Sequence, residues 1–230
     1  MNTLSEKALA IHEILCRTYH CPIPYFHNYD PLSELISSLL SHRTRNKDSG
    51  QAYKTLRSQF SSWEEVKDAP TEEIMLAISS CTWPEQKAPR IKTILQAIND
   101  KVGTLSLDFL QQLSAQEARQ WLEQLPGVGP KTSAAVLVFS NLHMKALPVD
   151  SHHYRVAIRT GLIGPKSSLE KAHKLLEAQL PADWSVQQVY DNHEVMMLHG
   201  QKCCYFTNPA CVRCPILALC PYGESRLGNP

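Results

Sequence analysis

Apolar residues recur three and four positions apart along most of the chain, the spacing that places them on one face of an α-helix. One such helix is predicted at 31–40, entered through a proline. Further stripes cover 91–98, 118–125, 172–180 and 186–197. No stretch alternates convincingly between apolar and polar residues, as a half-buried strand would. The pattern therefore predicts an all-α protein.

Polar residues at the helix starts refine this pattern. Ser114 with Glu117, and Ser167 with Glu170, have the spacing of a capping box, in which two side chains satisfy the first backbone N–H groups of a helix. The segments 21–30 and 142–148 contain proline and lack the helical spacing. They are predicted to be connections between helical regions.

The composition is that of an ordinary globular protein. The 230 residues are 43% hydrophobic and 20% charged, and the formal net charge of +1 gives no general argument for nucleic acid binding. The first twenty residues lack the apolar core of a signal peptide, and no run is long enough to span a membrane. We therefore expect a cytoplasmic protein of bacterial type, whose eight cysteines are thiols or metal ligands and not disulfides.

The octet Leu125–Thr132 lies between two predicted helices. Gly127 and Gly129 allow a tight turn and a close approach of phosphate to backbone N–H groups. Pro130 suits the first position of the next helix, whose positive dipole end attracts anions. A simple helix end followed by a helix start is the alternative, but the complete octet favours a clamp for the DNA backbone.

Two residues near this hairpin carry chemistry. Lys131 lies at a helix start, where the dipole and partial burial disfavour its charge and should depress its pKa. A neutral amine can form a Schiff base at a sugar C1′, although a lysine that merely binds phosphate is an equal alternative. Asp150 precedes a helical stretch at 153–162, where its first role is to cap that helix. The same carboxylate could also stabilise positive charge on a sugar or handle a proton.

Five of the eight cysteines crowd into the C-terminal region. Cys204, Cys211, Cys214 and Cys220 have the spacing C-x6-C-x2-C-x5-C within one short loop. Four soft sulfur ligands suit Zn²⁺ or a [4Fe–4S] cluster. Structural zinc usually draws on two separated close pairs, whereas only the middle pair is close here, which favours the cluster. Cys203 is interpreted as a spare buried thiol.

The order of these motifs resembles the endonuclease III family of helix-hairpin-helix DNA glycosylases. That family has an LPGVGxKT hairpin, then VD[TS]H about twenty residues later, then HG and the four-cysteine motif. This chain has Leu125–Thr132, Val149–His152, His199 with Gly200, and the cysteines in the same order. The resemblance extends over residues 30–222, nearly the whole chain.

The resemblance implies two helical lobes with a DNA-binding cleft between them. One is a six-helix lobe at 31–144, and the other joins 1–30 to 145–230 and carries the cluster loop 204–220. It further implies a monomer that binds double-stranded DNA and flips the damaged base out of the stack. Lys131 would be the Schiff-base nucleophile and Asp150 the catalytic carboxylate. The residues expected to contact DNA are Gly127, Val128, Gly129, Thr132, Arg43 and His152.

The implied activity is a DNA glycosylase with AP lyase activity on oxidised pyrimidines. Lys131 also separates the chain from the adenine-mismatch branch of the superfamily, which lacks this lysine. Two alternatives stay open: a monofunctional glycosylase for mismatched thymine, uracil or another modified base, and a non-catalytic DNA-binding protein with a structural metal.

The chain departs from the family pattern in three places. His42 and Arg43 stand where the family usually has a small residue and a glutamine that fills the gap left by the flipped base. Arg43 could fill the same gap, or it could belong to a solvated basic helix end. The segment 81–87 is unusual, and the loop 205–210 lacks the basic residue that the family often places there. These departures leave the preferred lesion open.

Overall fold

The computed structural model describes residues 3–228, and within this range every regular element is helical. Twelve α-helices and three short 3₁₀-helices follow one another along the described chain. This confirms the predicted all-α class. The α-helices are α1 (Leu4–Tyr19), α2 (Pro31–Ser41), α3 (Asn46–Gln59), α4 (Trp63–Asp68), α5 (Thr71–Ala77), α6 (Pro84–Val102), α7 (Ala115–Leu122), α8 (Pro130–Phe139), α9 (Ser151–Thr160), α10 (Leu169–Glu177), α11 (Val186–Lys202) and α12 (Pro221–Gly228). The 3₁₀-helices are Asp108–Gln112, Cys211–Arg213 and Leu217–Leu219.

The chain divides into two compact units. His27–Met144 form one unit, and the described residues up to Phe26 together with those from Lys145 onward form the other. The first contains α2–α8 and is called the hairpin unit; the second contains α1 and α9–α12 and is called the cysteine unit. For comparison, the resemblance had implied a first boundary between the lobes at residue 31 and a second boundary at residue 145.

The hairpin unit contains seven α-helices, one more than the six that the resemblance implied. Two of them, α4 and α5, are separate short helices on either side of Ala69 and Pro70. Pro70 has no N–H to donate to a preceding turn, and the residue before a proline is restrained from the helical region, so α4 cannot continue through it.

The core of the hairpin unit lies where α8 packs against α2. Residues 132–138 of α8 are all buried, as expected for a helix that is apolar on all sides. After α8 the chain is fixed by backbone bonds from Asn141 N to Tyr29 O at 2.8 Å and from Met144 N to Leu137 O at 2.8 Å. Because α8 is buried along most of its length, its N-terminus is fixed in position. The preceding turn and the first residues of α8 are therefore held in place.

The core of the cysteine unit lies where α11 packs against α9 and α1. The two helices α9 and α11 approach closely at Gly200, where an added Cβ would lie 2.7 Å from the Cβ of His152. Ile23 N donates to Asp191 Oδ1 at 2.8 Å, and Tyr190 Oη donates to Pro24 O at 3.1 Å. The beginning of the segment predicted as a linker at 21–30 is therefore anchored to α11.

Two local predictions were wrong. The N-cap of α10 is Ser168 and not Ser167; the Ser168 side chain accepts from Lys171 N, while Ser167 O accepts from the hydroxyl of Tyr154. Cys16 and Cys21 form a disulfide, although all eight cysteines were expected to be thiols or metal ligands. The left-handed conformation of His20 ends α1 and turns the chain back, so that Cys21 N donates to Cys16 O and the two Cα atoms lie 4.9 Å apart.

Candidate functional site

The glycine-containing turn between α7 and α8 has the geometry that its sequence predicted. Gly127 adopts a φ of +74°, a conformation that residues with a Cβ rarely adopt. Gly129 is the N-cap of α8, and its carbonyl oxygen accepts from Thr132 N and Ser133 N. An added Cβ at Gly129 would meet no atom within 4 Å, so the backbone there is open to a ligand. Pro130 occupies the first turn of α8 as expected.

Lys131 is the second residue of α8 and is half-buried. Its positive charge acts on two neighbours in the same unit, Glu34 and His42. Burial raises the pKa of Glu34 to about 8, against the opposing effects of the Ser38 hydroxyl and the Lys131 charge. Burial and, to a smaller extent, the Lys131 charge together lower the pKa of His42 to about 4. At neutral pH, Glu34 is therefore mostly protonated and His42 is neutral.

Glu34 is held inside the hairpin unit by residues of α2 and of the segment before it. Its side chain is 3% exposed, and its Oε1 accepts from Ser38 Oγ at 2.9 Å. Its Oε2 lies 3.3 Å from His27 Nε2. Burial lowers the pKa of His27, so this contact joins two neutral groups and is not an ion pair. A buried carboxyl group within electrostatic reach of Lys131 was not singled out from the sequence.

His42 joins the end of α2 to the start of α8. Its Nε2 lies 3.3 Å from Thr132 Oγ1, and Thr132 is 3% exposed. The side chain of Val128 is also buried, at 6% exposure. Thr132 and Val128 therefore present little of their surface to a ligand.

Lys87 fixes the turn that follows α2. Its Nζ donates to Leu40 O at 2.7 Å, to His42 O at 2.9 Å and to Thr44 Oγ1 at 2.8 Å. Two of these acceptors are carbonyl groups at the C-terminus of α2, where a cation is favourable. The lysine belongs to α6 and is itself buried, so α6 sets the position of this turn.

Arg43 lies on the turn that Lys87 fixes and is exposed. Its φ is +50°, and its guanidinium carbon lies 5.7 Å from the ring centroid of Trp83. Trp83 is 42% exposed and also has a positive φ, of +55°. Thr82 N donates to Thr44 Oγ1 at 3.2 Å, so the segments that carry the two side chains are bonded to each other. The unusual segment 81–87 and the basic residues after α2 thus form one surface.

Asp150 begins α9 in the cysteine unit, and its predicted capping role is confirmed. Its Oδ1 accepts from His153 N at 2.7 Å. Burial pushes the pKa of Asp150 upward, but His193 and the hydrogen bond from His153 outweigh it and hold the pKa below the usual value. Asp150 is therefore ionised at neutral pH. It belongs to a different unit from Lys131.

Two arginines tie α9 to the cysteine-rich loop. Arg155 donates to Cys204 O at 2.9 Å and to Gly200 O at 2.8 Å, and its Nη2 lies 3.0 Å from His152 Nδ1. Arg159 donates to Tyr205 O at 2.6 Å, and its Nη1 lies 3.2 Å from Cys204 Sγ. Helix α9 is therefore bonded to this loop at two points, and its half-buried residue His152 contacts Arg155 in the same helix and lies next to Gly200 of α11.

The four motif cysteines line one pocket of the cysteine unit, together with Cys203 and His199. The sulfur of Cys220 accepts from Gly223 N at 3.4 Å. A Cβ at Gly223 would lie 2.8 Å from Leu217 Cδ1, so the backbone can approach the sulfur only without a side chain there. Burial raises the pKa of Cys214 to about 12, so a thiolate there needs a positively charged centre to balance it. The pocket is a possible metal site, as its cysteines predicted.

A family model supplies the identification. The model that describes HhH-GPD superfamily base excision DNA repair proteins matches residues 36–182, which include the hairpin, Lys131 and Asp150.

The chain belongs to this superfamily.

Individual relatives show that, within the superfamily, the chain belongs to the endonuclease III family. Endonuclease III of Thermotoga maritima is 30% identical over 198 residues, which cover 86% of this chain and 85% of that protein. A putative DNA glycosylase of Arabidopsis thaliana is 31% identical over 172 residues, but the match spans only 57% of that protein. In fold, the chain is similar to endonuclease III in a trapped covalent intermediate with DNA, with a TM-score of 0.81 and 24% identity over 99% of this chain and 100% of that one. The present chain, as a member of this family, is a DNA glycosylase of base excision repair.

The residues of the pocket fit the metal centre that the endonuclease III family implies. Four thiols provide a soft donor set, which suits iron in a cluster or zinc. Gly223 N and Arg159 direct N–H groups at two of the sulfurs, the kind of contact that stabilises ligating thiolates. No described helix is both long and apolar enough to cross a membrane.

Proposed function

We propose that the protein is a bifunctional DNA glycosylase and AP lyase that removes oxidised pyrimidines from double-stranded DNA through a Schiff base on Lys131. One observation carries the proposal: Lys131 is half-buried at the second position of α8, directly behind the Gly127–Gly129 turn. Its charge acts on two neighbours that are mostly uncharged at neutral pH. This is a site for an amine that reacts and is more than a surface cation.

The hairpin would bind the DNA backbone. The open backbone at Gly129 and the N-terminus of α8 offer a phosphate N–H groups and the positive end of a helix dipole. Because Val128 and Thr132 are buried, the contact would be independent of their side chains and of the DNA sequence. The family's sequence-independent recognition of the backbone fits this geometry.

The proposed chemistry begins with the lone pair of the Lys131 amine. It attacks C1′, the bond from C1′ to the base breaks, and the base leaves with the electron pair and takes up a proton. Loss of a proton from the nitrogen and opening of the sugar ring give the imine. Removal of a C2′ proton then expels the 3′-phosphate as the C3′–O bond breaks. The covalent DNA intermediate trapped for endonuclease III, the protein of similar fold, supports this route.

Asp150 would act as an ionised carboxylate. Positive charge develops on the sugar as the base departs, and a fixed negative charge stabilises it. The low pKa of Asp150 keeps that charge present at neutral pH, and the His153 N–H holds the carboxylate at the start of α9. The same side chain thus caps a helix and serves the reaction.

The pocket would hold a [4Fe–4S] cluster on Cys204, Cys211, Cys214 and Cys220. When bound, the cluster would join the four cysteines and so cross-link the loop. Its role would be structural, with no redox step in the base-excision chemistry. The loop in turn supports α9 through Arg155 and Arg159. Iron and sulfide analysis of the purified protein tests this assignment, and stoichiometric zinc without iron would contradict it.

Borohydride trapping tests the nucleophile. Borohydride reduces an imine to a stable amine, so the wild-type protein should become covalently attached to DNA that contains an abasic site. Lys131→Gln should abolish trapping and strand nicking but retain most DNA affinity, because the hairpin backbone is unchanged. Lys101→Gln, on an exposed lysine of the same unit, is the matched control and should trap normally. Trapping by Lys131→Gln at the wild-type rate would refute the mechanism.

A panel of lesion-containing duplexes tests the substrate class. The proposal predicts excision of oxidised pyrimidines and nicking without added base treatment. Excision of mismatched thymine or uracil that leaves the strand intact would instead identify a monofunctional glycosylase. Binding without excision or nicking would identify a non-catalytic DNA-binding protein.

A further inference from the structure

The metal pocket contains a fifth cysteine. Cys203 lines the same pocket as the four motif cysteines and is 6% exposed. Its sulfur, the sulfur of Cys214 and a ring nitrogen of His199 all lie within 4.8 Å of one another. Three potential ligand atoms at this separation could bind one metal ion. Cys203, which was interpreted from the sequence as a spare thiol, therefore lies among the potential metal ligands.

The backbone holds Cys203 in this position. Cys203 N and Cys204 N both donate to His199 O, at 3.0 and 2.8 Å. Ala210 N donates to Cys203 O at 2.9 Å, which joins the residue to the far side of the loop. Neighbouring residues usually direct their side chains apart. Here both N–H groups donate hydrogen bonds to the same carbonyl oxygen, and both Cys203 and Cys204 line the pocket.

The two neighbouring sulfurs have different surroundings. Cys204 is half-exposed, and its sulfur lies 3.2 Å from the guanidinium of Arg159. The guanidinium therefore donates a hydrogen bond to this sulfur. Cys203 faces Cys214 and His199, and His199 Nε2 lies 3.6 Å from Cys214 Sγ. A Cys204 sulfur that left the metal would therefore still have a hydrogen-bond donor beside it.

We propose that Cys203 is an alternative ligand that can replace Cys204 on the cluster. In this exchange the Cys203 thiol loses its proton and forms a bond to iron, while the bond from iron to Cys204 breaks and the Cys204 sulfur takes up a proton. Iron and sulfur keep their oxidation states, so no oxidant or reductant is required. The inference rests on the proposed cluster assignment and adds a second set of four cysteines that can bind the cluster.

Alanine variants test the exchange in the full-length protein. Alanine is preferable to serine because a serine oxygen can itself bind iron. Iron and acid-labile sulfide per chain, and the visible absorption of the cluster, are measured for wild type, Cys203→Ala, Cys204→Ala, Cys211→Ala and the double variant at 203 and 204. Cys211 is the matched control because it is a motif cysteine without a neighbouring thiol in sequence.

We expect Cys203→Ala to match the wild type and Cys204→Ala to keep at least about half of the wild-type iron. Cys211→Ala and the double variant should each keep less than about a tenth, because neither has a substitute ligand. The electron paramagnetic resonance of the reduced cluster should differ between Cys204→Ala and the wild type, since one iron has changed its ligand geometry.

Three outcomes would overturn the inference. The first is a Cys204→Ala protein as depleted in iron as Cys211→Ala. The second is a Cys204→Ala protein that is insoluble while Cys203→Ala is soluble. The third is equal iron in Cys204→Ala and in the double variant. Iron-free wild-type protein would be a separate result, because it would refute the cluster assignment itself.

Discussion

Glu34 makes the stability of the hairpin unit depend on pH in a direction opposite to that of most carboxylates. Its pKa is raised by burial to about 8, from an ordinary value of 4.5 for a glutamate. Between these two values the folded chain holds a proton that the unfolded chain has released. The unfolding free energy therefore falls as pH rises through this window, and the stability is fully present only below the lower value. Glu34→Gln should remove this dependence, because an amide is neutral throughout.

The magnitude follows from the two pKa values. At about 1.4 kcal/mol per pH unit, the cost of keeping Glu34 buried grows from about 1.4 kcal/mol at pH 5.5 to about 4 kcal/mol at pH 7.5. The advantage of Glu34→Gln over the wild type should therefore widen by about 2.5 kcal/mol between these conditions. For a chain of this length, that corresponds to a gain of roughly 5–10 °C in relative Tm. The glutamine oxygen can still accept the hydrogen bond from Ser38.

The assay is thermal unfolding, followed by circular dichroism at several pH values between 5.5 and 7.5. Glu64→Gln is the matched control, since Glu64 is an exposed glutamate of the same unit. The Tm difference between this control and the wild type should stay constant across the range. Parallel pH curves for the wild type and Glu34→Gln would show that Glu34 is ionised in the folded protein and that the reasoning from its burial is wrong.

Two further substitutions separate roles at the candidate site. Arg43→Gln should alter the preference for the base opposite the lesion more than it alters cleavage of a plain abasic site, measured on matched duplexes; equal losses on all substrates would identify a general phosphate contact. Asp150→Asn should bind DNA normally and react slowly, whereas Asp150→Ala should in addition lose about 1 kcal/mol of stability, because only the amide can still cap α9. Turnover of Asp150→Asn at the wild-type rate would show that the carboxylate charge is not needed.

Much of the fold could be predicted because its signals are local. Helical spacing alone located α2, α6 and α11, and the cap at Asp150 followed from its place before a helical stretch. The choice between Ser167 and Ser168 could not be made in this way. Ser167 has the capping-box partner Glu170 and Ser168 does not, yet Ser168 is the cap. The hydroxyl of Tyr154, thirteen residues away in sequence, donates to the Ser167 carbonyl oxygen.

The chemistry around Lys131 was less accessible to sequence reasoning. The lysine follows a recognisable turn, but Glu34 lies almost a hundred residues earlier and is surrounded by an apolar stripe. Its burial comes from the packing of α2 against α8, a tertiary contact that periodicity does not report. Likewise, the proximity of Cys203 to Cys214 depends on two backbone bonds to one carbonyl group, which the spacing of the cysteines could not reveal.

The division of the chain into units has a consequence for the order in which the protein folds during synthesis. The hairpin unit is one continuous stretch, so all of its helices are available once Met144 has emerged from the ribosome. The cysteine unit needs both ends of the chain, because α1 packs against α11. Until α11 is made, the apolar face of α1 formed by Ala8, Ile11 and Leu15 lacks this partner, and the helix is supported by local bonds such as the capping box at Thr3 and Glu6. Helix α1 is synthesised before the hairpin unit but packs against its partner only after that unit is complete, and nascent chains stalled before residue 186 should expose it to chaperones and proteases.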